Sequence, residues 1–116
     1  MKVFSEPGVL SRSERFFSTP SATARRLFYY VTRVGHYYYD ARYNFLDDSC
    51  DIAHLESHKN LFLTYVRSGT MYFETDQLYC AERGQIGLVD CRRPHHFYTK
   101  GDAEALWIHF DGANAE

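Results

Sequence analysis

The sequence predicts an all-β domain, a sandwich or small barrel of short strands. Three observations lead there. Ten tyrosines, nine phenylalanines and one tryptophan cluster with β-branched residues in short runs, the composition of strands. Turn-forming residues interrupt these runs at short intervals, and no apolar pattern keeps a 3.6-residue period.

The elements follow in order. Residues 1–26 read as an arm: the first 25 hold seven Ser or Thr with Pro7 and Pro20, and their apolar pieces, Val9–Leu10 and Phe16–Phe17, are short. Such a segment buries too little to order itself and is either mobile or docked on something. The texture changes at Leu27, and residues 27–116 form the domain proper. Strand candidates are Phe28–Val34, Tyr37–Tyr39, Asp51–Glu56, Leu61–Arg67, Met71–Glu74, Leu78–Ala81, Ile86–Asp90, His96–Thr99 and Ala105–Phe110. Hairpin turns fit Ser68-Gly69 and Asp76-Gln77, and Arg83-Gly84 supplies the positive-φ option. Pro94 closes one strand because proline donates nothing to a ladder. Lys100-Gly101-Asp102 opens the loop before the last strand. No internal repeat is visible.

Composition narrows the function. The 116 residues are 45% hydrophobic, with a net charge of −2. This excludes a disordered tail and a membrane-spanning helix, and the first residues lack the apolar stretch of a secretory signal. Charge is uneven. Residues 1–25 hold four basic and two acidic residues, and the remaining 91 hold nine basic against thirteen acidic. An acidic body repels phosphate, so the domain is not expected to contact DNA itself. Three cysteines, Cys50, Cys80 and Cys91, with no closely spaced pair, fit a reducing, cytoplasmic setting and offer no structural zinc site.

Strand alternation sorts the side chains onto two faces. In the last strand Ala105, Trp107 and His109 share one face, opposite Leu106, Ile108 and Phe110. In residues 61–68 one face takes Phe62, Thr64, Val66 and Ser68. A face that mixes a small side chain, an indole and an imidazole suits a ligand cavity better than a packed core.

One ordered set of residues is familiar: Leu63-Thr-Tyr-Val-Arg-Ser-Gly69; Tyr79 to Asp90 with Gly84 at the turn; Val89-Asp-Cys91; Pro94-His-His-Phe-Tyr98; and Leu106-Trp-Ile-His-Phe-Asp-Gly112. Across residues 27–112 it resembles the amino-terminal effector-binding domain of AraC-type transcriptional regulators, a cupin-like double-stranded β-helix or jelly-roll barrel. The resemblance implies a small-molecule effector, in sugar-sensing relatives a carbohydrate, held inside the barrel with the arm able to close over it. Trp107 matches the stacking position and Ser68 a polar contact. Phe97 or Tyr98 takes an aromatic contact, depending on whether His95-His96 or the His-x-Tyr is the anchor. Tyr37 is a further match. Ala105 stands where the arabinose sensor is polar, so arabinose is not implied. His96 and His109 complete the candidate ligand-binding set. The family also implies helix-turn-helix units that bind promoter DNA, here beyond Glu116, and a homodimer. No cofactor and no membrane partner are expected.

Two other classes compete. His54, Glu56 and His58 alternate and with His96 could hold a metal in a small cupin enzyme, although His-Leu-Glu-Ser-His does not reproduce the usual metal-cupin spacing. A ligand-free dimerisation module would fill the barrel with its own side chains. No nucleophile elbow, phosphate loop or zincin helix occurs, so the domain is not expected to be an enzyme.

Overall fold

A computed structural model describes residues 6–27, 29–47, 61–91 and 93–112. In chain order these form β1 (Glu14–Phe17), α1 (Ala22–Leu27), β2 (Tyr29–Tyr39), β3 (Asn44–Asp47), β4 (Leu61–Ser68), β5 (Thr70–Glu74), β6 (Leu78–Glu82), β7 (Ile86–Asp90), β8 (His95–Tyr98) and β9 (Ala103–Gly112). They build a five-stranded sheet in the order β1-β2-β9-β4-β7 and a four-stranded sheet in the order β3-β8-β5-β6, with antiparallel pairing throughout. From β2 onward the chain crosses repeatedly from one sheet to the other, which brings their inner faces together.

The inner faces carry the alternating residues. Tyr37 and Tyr39 of β2, Phe62, Thr64 and Val66 of β4, and Ala103, Ala105 and Trp107 of β9 meet Met71, Phe73 and Phe97 from the other sheet, all buried. The outer face of the large sheet is also apolar. Phe16, Val34, Ile108, Leu63 and Leu88 lie side by side across all five strands in one row of the ladder.

Several elements depart from the sequence expectation. Phe28–Val34 and Tyr37–Tyr39 are one continuous strand, and Gly35 does not break it. A Cβ at Gly35 would lie 2.3 Å from Cε2 and Cζ2 of Trp107. The glycine is therefore a place where backbone and indole approach closely rather than a turn. Gly35→Ala forces a buried ring aside and should cost about 1–3 kcal/mol, read as a lower denaturation midpoint at unchanged slope; a neutral result would mean that the indole has room to move.

Strand β3 is unpredicted, because Asn44–Asp47 shows no apolar alternation; it is recruited by pairing with β8. The candidate Asp51–Glu56 lies outside the described residues. The arm is docked where it is described. Strand β1 forms the edge of the large sheet, Glu14 to Phe17 opposite His36 to Arg33. Helix α1 starts at Ser21, whose Oγ accepts the Ala24 N–H at 3.1 Å as an N-cap. The chain before β1 is tied down by backbone bonds from Leu10 N–H to Tyr38 O and from Asp40 N–H to Gly8 O, both 2.8 Å. The buried Ser13 Oγ accepts the Tyr38 N–H at 2.8 Å.

Candidate effector cavity

A cavity of about 160 Å3 lies between the sheets at the end where the amino-terminal segment crosses. Four candidates from the sequence line it: Tyr37, Phe97, Trp107 and His109. Trp107 stands edge-on to Tyr37, with ring centroids 5.0 Å apart at 88°, and to His109, 5.2 Å apart at 81°. Phe62 lies nearly parallel to Phe97 at 5.0 Å, and its centroid is 4.8 Å from that of His109. The walls are therefore aromatic on both sheets, the usual frame of a small-molecule site.

Ser68, His96 and Tyr98 lie away from this cavity, a correction to the expected site. Ser68 drops out of the inward row because the β4–β9 register shifts between Val66 and Ser68, and the residue is exposed. In β8 the alternation turns His95 and Phe97 inward and His96 and Tyr98 outward. His96 bonds Asn44 and approaches Glu74, while Tyr98 donates to Glu74 Oε1 at 3.2 Å and stacks on Tyr72 at 5.2 Å. Of the two aromatic alternatives, Phe97 is therefore the one in the cavity. His54, Glu56 and His58 lie outside the described residues. Among the described residues no three His, Cys, Asp or Glu side chains group as metal ligands.

Further polar lining comes from Glu6, Arg15 and Arg33, which were not among the expected site residues, and from His95, expected only as part of the His95-His96 anchor. Arg33 faces inward with Gly35, Tyr37 and Tyr39 of the same alternating series, and a bulge lies just before it. Val31 faces Phe110 and Arg33 faces His109, so Thr32 is the extra residue, and its hydroxyl donates to the His109 carbonyl at 3.2 Å. Arg15 lies opposite Gly35 in the ladder and so points to the same face. Its Nη1 donates to Glu6 Oε1 at 3.2 Å and reaches the Tyr37 hydroxyl at 3.5 Å. Its Nε is buried with no hydrogen-bond partner. His95 Nδ1 is 2.8 Å from the Arg93 carbonyl, which only accepts, so this nitrogen carries the proton in the neutral ring.

Burial governs the protonation of the lining. It raises the Glu6 pKa, against the pull of Arg15 and Arg33, and it lowers that of Arg33. It also raises Tyr37 and moves Tyr39 and Tyr43 further up, so these phenols stay protonated and able to donate.

A larger groove of about 720 Å3 lies beside β6 and β7, but exposed Tyr79, Ile86 and Leu88 form much of its wall. A molecule there would stay largely in water. The cavity between the sheets is walled by the buried rings of Tyr37, Phe62, Phe97 and Trp107 and brings its polar groups together, so we take it as the site.

No family model matches this chain, and no curated protein matches it. Solved structures do. Ectoine synthase from P. lautus is similar at a TM-score of 0.60 and 11% identity over 93% of this chain and 67% of that one. An HTH_3 family transcriptional regulator from Vibrio cholerae matches at 0.56 and 12%, over 85% of this chain and 51% of that one. The Cupin_2 domain of an XRE family transcriptional regulator from Enterobacter cloacae matches at 0.54 and 8%, over 84% and 94%. This chain thus spans about half the length of the Vibrio regulator. The expectation that the domain is no enzyme is corrected here. Ectoine synthase is an enzyme on the same framework, so the lack of familiar motifs gives no ground for excluding catalysis. No described helix is long and apolar enough to cross a membrane. The fold is all-β and cupin-like.

Proposed function

We propose that this barrel is the effector-binding part of a cytoplasmic transcription regulator of the AraC type. In this reading residues 1–26 are the arm and residues 27–116 the barrel. A small ring-shaped effector, of carbohydrate type, sits against Trp107 with Tyr37, Phe97 and His109 around it. One observation carries the reading: four residues singled out from sequence line one cavity between the sheets, and Glu6 and Arg15 of the amino-terminal segment complete its wall. The likeness to two regulators supports it. A volume near 160 Å3 suits one six-membered ring.

The mechanism follows from which segments touch the ligand. An effector that contacts Arg15 makes that contact only while β1 is docked, so it binds the docked state more tightly and shifts the population towards it. Helix-turn-helix units of the whole regulator would read this change at promoter DNA. A homodimer belongs to the same reading, and the apolar row across the outer sheet face supports it.

The test uses the single tryptophan as a reporter, since Trp107 lies in the cavity wall. Monosaccharides and their oxidised derivatives are titrated while melting temperature and Trp107 emission are followed. A bound effector at about 100 times its Kd adds roughly 2.7 kcal/mol of stability, and the emission should change over the same concentrations. A rise in melting temperature with unaltered emission would place binding elsewhere and sink the proposal.

A further inference from the structure

The outer face of the five-stranded sheet is apolar over two neighbouring rows of the ladder. Beside the row Phe16, Val34, Ile108, Leu63 and Leu88 runs a second, in which Leu106, Tyr65 and Ile86 are neighbours across β9, β4 and β7. Leu88 is 62% exposed, Ile86 60% and Phe16 53%, and Tyr65 and Leu106 are exposed too. With the partly covered members of the first row they present on the order of 600 Å2, the upper end for the largest apolar patch of a monomer. Charge is settled at one end of the face, where Glu104 Oε2 lies 2.6 Å from His36 Nε2 and 3.6 Å from Arg67 Nη1. Strand β7 is an edge of the sheet and carries neither the Lys nor the Pro that usually guards one.

The face also has relief. A groove of about 390 Å3 is walled by Phe16, Val34, Leu63, Tyr65, Leu106 and Ile108, and the two most exposed side chains of the face, Leu88 and Ile86, stand beside it on β7. From this geometry we infer that two copies of the chain meet on this face, with Leu88 and Ile86 of each copy seated in the other's groove, Leu88 beside Phe16. The inference rests on the homodimer proposed above and not on the effector. A twofold axis requires one patch to fit itself, and a ridge next to a groove does so, each filling the other twice. A foreign partner would need the groove or the ridge but not their match. The area agrees: with a polar rim, a patch of this size gives the roughly 800 Å2 that each partner brings to a standard interface.

Sedimentation equilibrium on the full chain tests this. The chain should dimerise with a Kd of about 10 µM or below, and its melting temperature should rise with concentration. Leu88→Lys, Ile86→Lys and Phe16→Glu, all at positions exposed in a single copy, should each weaken association at least tenfold and leave the melting temperature of the dilute chain unchanged. Mixing Leu88→Lys chains with Phe16→Glu chains should restore part of the association, because a mixed pair keeps one native contact and sets Lys against Glu in the other. A chain still monomeric at about 100 µM overturns both the inference and the homodimer, while the effector cavity is judged separately by Trp107 emission. A dimer that all three variants leave intact overturns this face and keeps the homodimer. A mixture that associates no better than either variant alone overturns the seating of Leu88 beside Phe16.

Discussion

Trp107→Ala should lower the stability of the domain by about 3–5 kcal/mol, the range for removing a large buried ring. The indole is 6% exposed and touches Tyr37, Phe62 and His109 as well as the backbone of Gly35. None of these can close the gap. Strand β9 is held on both sides, by β2 from Ala103 to Gly112 and by β4 over most of its length, so the backbone cannot sink into the void. The new space also joins the existing cavity, which removes partner atoms from Phe62 and Phe97 together. A whole domain of this kind is stable by only about 5–15 kcal/mol, so the loss should appear as a melting temperature lower by ten degrees or more. Trp107→Phe keeps a ring in place and should recover a good part of it. Circular dichroism is the suitable probe, because the variant has no tryptophan. A loss below about 1 kcal/mol would mean that the indole is not the keystone between the sheets.

The fold was legible where one physical signal acted alone. Strands β4 to β7 and β9 announce themselves by alternation between turn residues, and there the expected segments and the elements agree to within two residues. Legibility failed where partners supply the reason for a strand. Phe16 and Phe17 look like isolated apolar residues, and only the edge of β2 makes Glu14–Phe17 a strand. Asn44–Asp47 is polar at both ends and is held by β8. Gly35 failed differently: as local chemistry it signals a turn, whereas its cause lies 72 positions along the chain, at Trp107.

The candidate site follows the same division. Trp107 and His109 were legible because β9 alternates without interruption, whereas Phe97 came only from the resemblance, as an alternative to Tyr98 that the alternation of β8 decides. Ser68 was misplaced by a bulge, which shifts the phase of alternation while leaving composition unchanged. His96 and Tyr98 were drawn in by a familiar local pattern, although β8 turns the alternate residues, His95 and Phe97, inward. The arginines were hidden for a related reason. Once β2 is read through Gly35, the period-2 series Arg33, Gly35, Tyr37, Tyr39 puts Arg33 on the inner face. That signal was available, but splitting the strand erased it. Arg15 needed the docking of β1, a long-range contact that no local pattern contains.

Gly8→Ala should release the amino-terminal segment from the barrel while leaving most of the two sheets intact. Gly8 has φ +80°, a left-handed conformation that costs a residue with a Cβ about 1–2 kcal/mol. Space is the larger obstacle. A Cβ there would lie 2.0 Å from the Tyr43 nitrogen and 2.3 Å from its Cα, and backbone atoms cannot turn aside as a side-chain tip can. The segment must therefore lift off. It then loses the Asp40-to-Gly8 and Leu10-to-Tyr38 backbone bonds, the pairing of Ser13 with Tyr38, and the places of Glu6 and Arg15 in the cavity wall. The Asp40, Tyr38 and Leu10 amides should exchange with solvent faster by a factor of ten or more, while those of β4 and β9 should change much less. Trp107 emission should move to longer wavelength as water enters beside Tyr37. Because opening is local, the global loss is expected to stay near about 2–3 kcal/mol, within the range of a strained or clashing substitution. An effector that needs Arg15 should then bind at least tenfold more weakly, since the energy to redock the segment comes out of its binding. Normal exchange at Asp40 together with unchanged stability would mean that Gly8 is not seated against Tyr43, and the segment would lose its place in the site.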